Sequence, residues 1–266
     1  MRHKKYDRTN NMTANDIKES LLELHDEEQR KILLRFFKTG PGEYGEGDEF
    51  LGIRVPETRL VAKEAKNIPL TEIPTLLTNR FHEVRLCGFL ILTYKMERLC
   101  SKKLVNDAQA IKERDAIVRL YLEYADYANN WDLVDLSAPK IIGPWLLLPS
   151  EIKDKDSIMD ELVGSSVLWR QRIAMVSTWK TTQQGLPDYA LRYAERLVYH
   201  KHDLMHKAVG WMLREVGKRC SKDLLEDFLD RYAATMPRTA LRYAIEQFPA
   251  YERQYWMKQK DTIGKA

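Results

Sequence analysis

The sequence has few cysteines and no apolar run long enough to cross a membrane. Its three cysteines, Cys87, Cys100 and Cys220, are far apart and lack the spacing of a metal site, which favours unpaired thiols in a reducing cytoplasm. No apolar stretch approaches the roughly 20 residues of a transmembrane helix. The basic start "MRHKKYDRTNNM" also lacks the apolar segment of a secretory signal. We therefore expect a cytoplasmic protein with no membrane partner.

Length and composition indicate a folded, helix-rich protein. The chain has 266 residues, of which 44% are hydrophobic and 31% are charged, as in ordinary globular domains. Its net charge of +4 permits nucleic-acid binding without requiring it, so the distribution of the basic residues must decide. We expect a monomer with a basic tail over residues 1–12, one domain over residues 13–250 and a C-terminal extension over residues 251–266.

Apolar residues recur at three- and four-residue spacing in segment after segment, which predicts an all-α protein. The segments "TANDIKESLLELHDEEQRKILLRFF" and "DLLEDFLDRYAATM" show this pattern. Several segments also resemble one another: aligning Arg172, Lys207 and Arg238 gives separations of 35 (172 to 207) and 31 (207 to 238), close to the period of helical-pair repeats. The pattern predicts an α-solenoid of helical-pair repeats with a concave surface, and an irregular helical bundle is the alternative.

Two patterns that could suggest a ligand site are better explained without one. The segment "GPGEYG" at 40–45 fits a dinucleotide motif, but it follows a helical pattern and contains Pro41, and Glu43, Glu46 and Asp48 would repel a pyrophosphate. It predicts a long ordered loop. Three histidines also lie close together, but no carboxylate or cysteine completes a metal set: His200, His202 and His206. We expect neither a metal nor a cofactor.

Basic and aromatic residues share helix faces in the second half of the chain. A single helical stripe carries one indole and three cations, which is not the composition of a core stripe: Lys207, Trp211, Arg214 and Lys218. Arg172 and Lys180 are eight residues apart and share a face one repeat earlier. Together these side chains predict a basic groove that holds the phosphate backbone of a nucleic acid.

The segment "NNWDLVDLSAP" at 129–139 combines an indole with two carboxylates at the start of a helix. Asp132 in the first turn complements the positive end of the helix dipole. Trp131 and Asp135 are four residues apart, which places an indole and a carboxylate on one helix face. A carboxylate in a basic groove repels phosphate, so we expect Asp135 to face a positive charge on the bound nucleic acid.

With these motifs in view, the sequence resembles the AlkD-type DNA alkylation repair proteins, which are HEAT-like-repeat DNA glycosylases. The resemblance runs from about Thr13 to the 240s, and four segments carry it in the same order: "RFFKTGPGEYGEGDEFLGIRVPETR", "NNWDLVDLSAP", "LWRQRIA" and "HKAVGWMLRE". In that family the Trp-Asp-x-x-Asp motif supplies an aromatic side chain and the catalytic aspartate. These correspond here to Trp131 and Asp135.

Three further site residues follow from the same resemblance. The arginine of "WRQR" corresponds to Arg172, and the tryptophan of "GWMLRE" corresponds to Trp211. An aromatic from an N-terminal helix, often tyrosine in the family, is best matched by Phe36, with Phe37 beside it. A phenylalanine there cannot make the hydroxyl contact that a tyrosine makes.

The resemblance implies excision of positively charged alkylpurines, such as 3-methyladenine and 7-methylguanine, by hydrolysis of the N-glycosidic bond. Because a cationic purine leaves as a neutral base, the reaction needs no general acid, and one carboxylate near the deoxyribose suffices. Two other readings stay open: a non-catalytic repeat protein that binds nucleic acid or protein, and a related enzyme that works on bulkier adducts.

Overall fold

The computed structural model describes residues 12–259, whose regular structure consists of α-helices and two short 3-10 helices, with no β-strand within this range. The predicted all-α class is confirmed. The predicted basic tail lies outside the described residues except for Met12. The α-helices run in this order: α1 Ala14–Leu22, α2 Glu27–Phe36, α3 Val55–Glu64, α4 Ile73–Leu77, α5 His82–Leu99, α6 Ala108–Glu123, α7 Trp131–Leu147, α8 Lys155–Gly164, α9 Leu168–Gln183, α10 Asp188–Leu197, α11 Asp203–Arg219, α12 Lys222–Tyr232, α13 Arg238–Ala244 and α14 Ala250–Lys258.

Local sequence signals explain where several helices begin. Thr13 precedes α1 and forms a capping box with Asp16, so each residue satisfies a backbone N–H of the other. Asp107 and Ser221 cap α6 and α12 in the same general way, by accepting from a backbone N–H of the first turn. No helix among residues 12–259 is long and apolar enough to span a membrane.

The chain divides into two compact units. Among the described residues, the first contains 12–137 together with Pro149–Glu151, and the second contains Ala138–Leu148 and 152–259. In the first unit α5 packs against α3, α4 and α6. Its segment from His82 to Thr93 is buried on all sides, which explains the nearly continuous apolar sequence after the first turn.

The second unit is built from helices that repeat at a constant interval. The helices α9, α11 and α13 pack against one another in sequence, and they begin 35 residues apart (168 to 203 and 203 to 238). Gly210 allows the closest approach, because a Cβ atom at this position would lie 2.3 Å from the carbonyl oxygen of Ala240. This arrangement agrees with the helical-repeat architecture that the sequence predicts.

The repeat alignment at Arg238 is wrong by four residues. Arg172 and Lys207 are each the fifth residue of their helices, whereas Arg238 is the first residue of α13. The equivalent position in α13 is Arg242. Four residues are about one helical turn, so the error keeps each residue on the same face and leaves the apolar pattern unchanged. Sequence periodicity therefore could not detect it.

The other helices of the second unit are linked by polar contacts between residues 36 positions apart. Arg196 of α10 donates to Asp160 of α8, and Arg231 of α12 donates to Glu195 of α10. The hydroxyls of Tyr199 and Thr235, just after α10 and α12, form a further bond with the same separation. These contacts are exposed, so each adds little to stability, but their separation of 36 residues is close to the interval of 35 residues between the starts of α9, α11 and α13.

Candidate functional site

A cleft of about 470 Å³ lies within the first unit, and mainly apolar side chains form its walls. They come from α2, from the loop that follows it, from α5 and from the start of α7: Leu33, Phe36, Phe37, Phe50, Ile53, Leu86, Trp131 and Leu136. Four polar side chains also line the cleft near α7 and α5: His82, Glu83, Asp132 and Asp135. Such a cleft combines a low dielectric with a few placed charges, which is typical of an active site.

Trp131 is the centre of the aromatic wall. It is half-buried, it stacks on Phe37 at a centroid distance of 5.5 Å, and the edge of Phe36 contacts it at 5.9 Å. Phe36 is 59% exposed, whereas Phe37 is 6% exposed. The structure therefore brings together the two aromatic residues that the resemblance singled out, Phe36 and Trp131, and leaves an exposed ring at the mouth of the cleft.

Asp135 lies one helical turn after Trp131 and also lines the cleft. The carboxylate is half-buried, so it is accessible from the cleft and partly withdrawn from solvent. The predicted pairing of an indole and a carboxylate on one helix face holds in the structure. A partly desolvated carboxylate stabilises a nearby positive charge much more than an exposed one does.

Asp132 has a different environment from Asp135. It is 5% exposed, and its Oδ2 lies 2.9 Å from Nε2 of His82 in α5. The Nδ1 of His82 lies 2.8 Å from Oδ2 of Asp48, whose Oδ1 accepts from Nη2 of Arg85 at 2.6 Å. The sequence suggested only a helix-dipole role for Asp132. In the structure it is also one end of a buried chain of charges.

The charges in this chain set the protonation of His82. Burial by itself lowers the pKa of His82, but the nearby carboxylates of Asp132 and Asp48 outweigh it and raise the pKa to about 9. Burial by itself raises the pKa of Asp48, but the bonds and charges of His82 and Arg85 hold it below its ordinary value. At neutral pH His82 is therefore an imidazolium that donates to two carboxylates.

The loop between α2 and α3 is fixed against the start of α5. The buried carboxylate of Glu83 accepts from three consecutive backbone N–H groups, those of Leu51, Gly52 and Ile53, at 2.9 to 3.1 Å. Gly52 has a φ of +85°, and a Cβ there would lie 2.0 Å from the carbonyl oxygen of Asp26. The segment at 40–45 lies in the same loop and contains backbone hydrogen bonds of its own, in agreement with the ordered loop that the sequence predicts.

The second unit contains the other two residues taken from the resemblance. Trp211 is half-buried on α11 and follows the close-packed Gly210. Arg172 is only 4% exposed, and its Nη1 donates to the backbone carbonyl of Leu204 in the first turn of α11. Arg172 therefore ties α9 to α11, and its replacement would cost stability as well as any contact with DNA.

The predicted basic stripe of α11 lies on the more exposed side of that helix. Lys218 is exposed, whereas Lys207 and Arg214 are half-buried and form ion pairs with Asp203 and Glu246. Arg214 and Lys218 also line a cleft of about 350 Å³ in this unit. Lys180 on α9 is half-buried. A phosphate has to compete with a carboxylate at two of these four cations.

The three neighbouring histidines are bonded mainly to backbone. His202 caps α11, because its Nδ1 accepts from the backbone N–H of Leu204, and Nδ1 of His200 accepts from the backbone N–H of His202. Nε2 of His206 contacts the carbonyl oxygen of His200. Among the residues that the structure describes, no group of three or more His, Cys, Asp or Glu side chains is arranged to hold a metal ion.

Three buried polar residues at the start of α5 could not be assigned to the site from the sequence. His82, Glu83 and Arg85 begin the segment "HEVRLCGFLIL", which is otherwise apolar. Polar residues in the first turn of a buried helix are unusual, and this was the available signal. Asp48 was read only as one of several loop acids that would repel a phosphate. Nothing local in the sequence pairs it with His82, which is 34 residues away.

Comparison with known proteins identifies the family of the chain. A family model described as "DNA alkylation repair enzyme" matches residues 17–248. Among solved structures, the chain is similar in fold to a "Predicted DNA alkylation repair enzyme from Enterococcus faecalis", with a TM-score of 0.62 and 16% identity over 85% of this chain and 97% of that one. None of the curated proteins matches. Because the family model spans most of the sequence, this chain belongs to the family of DNA alkylation repair enzymes.

Proposed function

We propose that the protein is a DNA glycosylase that excises cationic alkylated purines, such as 3-methyladenine and 7-methylguanine, from duplex DNA. The observation that carries this proposal is the location of Asp135, a half-buried carboxylate in an aromatic cleft beside Trp131. Asp132 is engaged by His82 and withdrawn from solvent. Asp135 is therefore the carboxylate of this helix that we assign to the chemistry.

The reaction that fits this site is hydrolysis with an oxocarbenium-like transition state. The bond between C1′ of the deoxyribose and the purine nitrogen breaks, and its electron pair neutralises the cationic base, which leaves without a proton. Positive charge then develops on the sugar, where the carboxylate of Asp135 stabilises it. Water adds to C1′, and Asp135 orients that water and accepts its proton before releasing it to solvent.

The aromatic residues support the same step. Trp131, with Phe36 at its edge, presents an electron-rich face to a cationic lesion or sugar, an attraction of about 0.5–2 kcal/mol once water is excluded. We assign the same function to Trp211 in the second unit. The phosphate contacts are assigned to Lys180, Lys207, Arg214 and Lys218. Arg172, which the sequence suggested for such a contact, is 4% exposed, so we assign it to holding α11 against α9. We propose that the protein acts as a monomer in the cytoplasm.

Release of methylated bases from alkylated duplex DNA tests the proposal. We expect the wild-type protein to release 7-methylguanine and 3-methyladenine. Asp135→Asn keeps the size of the side chain but removes the anion, so we expect excision to fall by about 100-fold or more while duplex binding is retained. A non-catalytic repeat protein would bind the duplex and release no base. Wild-type turnover in Asp135→Asn would show that another group does the chemistry.

A further inference from the structure

We propose that His82 is a positioning residue of this site: it holds the first turn of α7, and with it Trp131 and Asp135, through its hydrogen bond to Asp132. The inference rests on the proposed function, because it assigns His82 to the support of the catalytic carboxylate. His82 itself is only 1% exposed. It therefore acts on the reaction through the helix and not by touching the substrate.

Asp132 depends on His82 for its location. Its Oδ2 accepts from Nε2 of His82, whereas its Oδ1 has no hydrogen-bond partner among the described residues. A carboxylate that is 5% exposed cannot replace a lost donor with bulk water. Loss of His82 would leave a buried charge without its donor, which is strongly unfavourable. The first turn of α7 would move to expose Asp132, and Trp131 and Asp135 would move with it.

The imidazole is held firmly enough to act as a rigid support. Its ring stacks on Phe50 at a centroid distance of 4.4 Å and lies against Phe37 at 5.0 Å. Its other nitrogen is bonded to Asp48, which Arg85 holds in turn. Phe37 also stacks on Trp131, so the same ring that confines His82 supports the indole of the cleft.

The support is complete only when His82 is protonated on both nitrogens. A neutral imidazole donates from one nitrogen only, so one of the two carboxylates loses its donor. Two carboxylates contact the ring, Asp48 from the loop and Asp132 from α7, and Arg85 of α5 contacts Asp48. The neighbouring carboxylate of Glu83 is satisfied in its own place by three N–H groups of the loop. Asp48 and Asp132 are thus balanced by His82 and Arg85. With the pKa of His82 at about 9, the balance is lost above that pH.

Single-turnover excision of 7-methylguanine by excess enzyme, measured from neutral pH to about one unit above the pKa of about 9, tests this assignment. We expect the wild-type rate to fall with a midpoint near pH 9. His82→Gln should be slower by about 10- to 100-fold, the scale of a misplaced catalytic group, and should lack that midpoint. In Asp132→Asn the amide oxygen can still accept from Nε2 of His82, but the substitution removes a negative charge beside the imidazolium. The midpoint should therefore move to lower pH.

His25→Gln is the matched control. His25 lies in the same unit and its Nδ1 contacts the carbonyl oxygen of Leu51 in the same loop, but its side chain is 46% exposed. We expect its rate and its midpoint to match the wild type. If His82 serves folding alone, His82→Gln would still lower the rate. In that case the pH midpoint of Asp132→Asn would be the same as that of the wild type. That result would overturn the assignment.

A second measurement needs no substrate. The part of the protein fluorescence that disappears in Trp131→Phe reports the surroundings of that indole. We expect it to change near pH 9 in the wild type and in His25→Gln, and to stay constant in His82→Gln. Absence of base release by the wild type would reject the proposed function, whereas a fluorescence signal that is flat across this pH range would reject the positioning role.

Discussion

The ring of Phe36 contacts Trp131 edge-on, with the centroids 5.9 Å apart and the ring planes at 67°. The next residue, Phe37, stacks on the same indole from the buried side. Two adjacent phenylalanines therefore contact one tryptophan and have different surroundings. Phe36 forms part of the mouth of the cleft, and Phe37 forms part of the core beneath it.

Replacing each of these phenylalanines by alanine should separate activity from stability. Phe36→Ala should reduce excision by about 5-fold, the scale of roughly 1 kcal/mol of aromatic contact, with little change in the free energy of unfolding. Phe37→Ala should lower the free energy of unfolding by about 3–5 kcal/mol, because it empties a core site. Urea denaturation and single-turnover excision measure the two effects. Equal losses of stability would contradict the assignment of Phe36 to the cleft surface.

The basic stripe on α11 predicts an order of effects on DNA binding. Lys218→Ala should flatten the slope of log affinity against log salt by about one unit, because an exposed lysine gives up no partner to contact a phosphate. Lys207→Ala and Arg214→Ala should have smaller effects, since both cations already pair with carboxylates. The salt slope of Lys180→Ala is measured in the same way. Salt slopes that match the wild type in all four variants would place these residues away from the DNA.

The raised pKa of His82 predicts how stability depends on pH. Its folded-state pKa of about 9 is above the ordinary value of 6.5, so the imidazolium contributes fully below about pH 6.5. That contribution declines as the pH rises and is lost above about pH 9, a total of up to about 3 kcal/mol. Denaturant unfolding of the wild type and of His82→Gln at several pH values measures it. The difference between the two proteins should be large at pH 6.5 and small above pH 9.

Selectivity should follow the charge of the leaving base. We expect efficient release of 7-methylguanine and 3-methyladenine, and little release of uncharged uracil or hypoxanthine, because the proposed step supplies no proton to the base. Trp131→Ala and Trp211→Ala should each reduce excision of the cationic bases by about 10- to 100-fold, the scale of roughly 1–3 kcal/mol. Neither should gain activity on neutral bases. Robust excision of uracil by the wild type would reveal a general acid and overturn this mechanism.

The sequence by itself determined the features that depend on local geometry. The helix period places Trp131 and Asp135 on one face, and it places Lys207, Arg214 and Lys218 on another, because side chains at these spacings share a face in any α-helix. The all-α class followed from the same periodicity. The ordered loop after α2 followed from its breakers and acidic residues, which exclude a helix and a phosphate site.

Only the tertiary structure decided which of the two carboxylates on α7 is buried, Asp132, and which is half-buried in the cleft, Asp135. Asp132 and His82 are 50 residues apart in sequence, and no local pattern connects them. The same holds for Phe36 and Phe37, because one step along a helix turns the side chain by about 100° and only the packing of neighbouring elements decides which direction is buried. The alignment of Arg238 with the other repeats could also be corrected only from the tertiary structure, since a shift of one helical turn preserves the apolar face. A periodic sequence is compatible with several registers and with either side chain being buried, and contacts between residues distant in sequence select one of them.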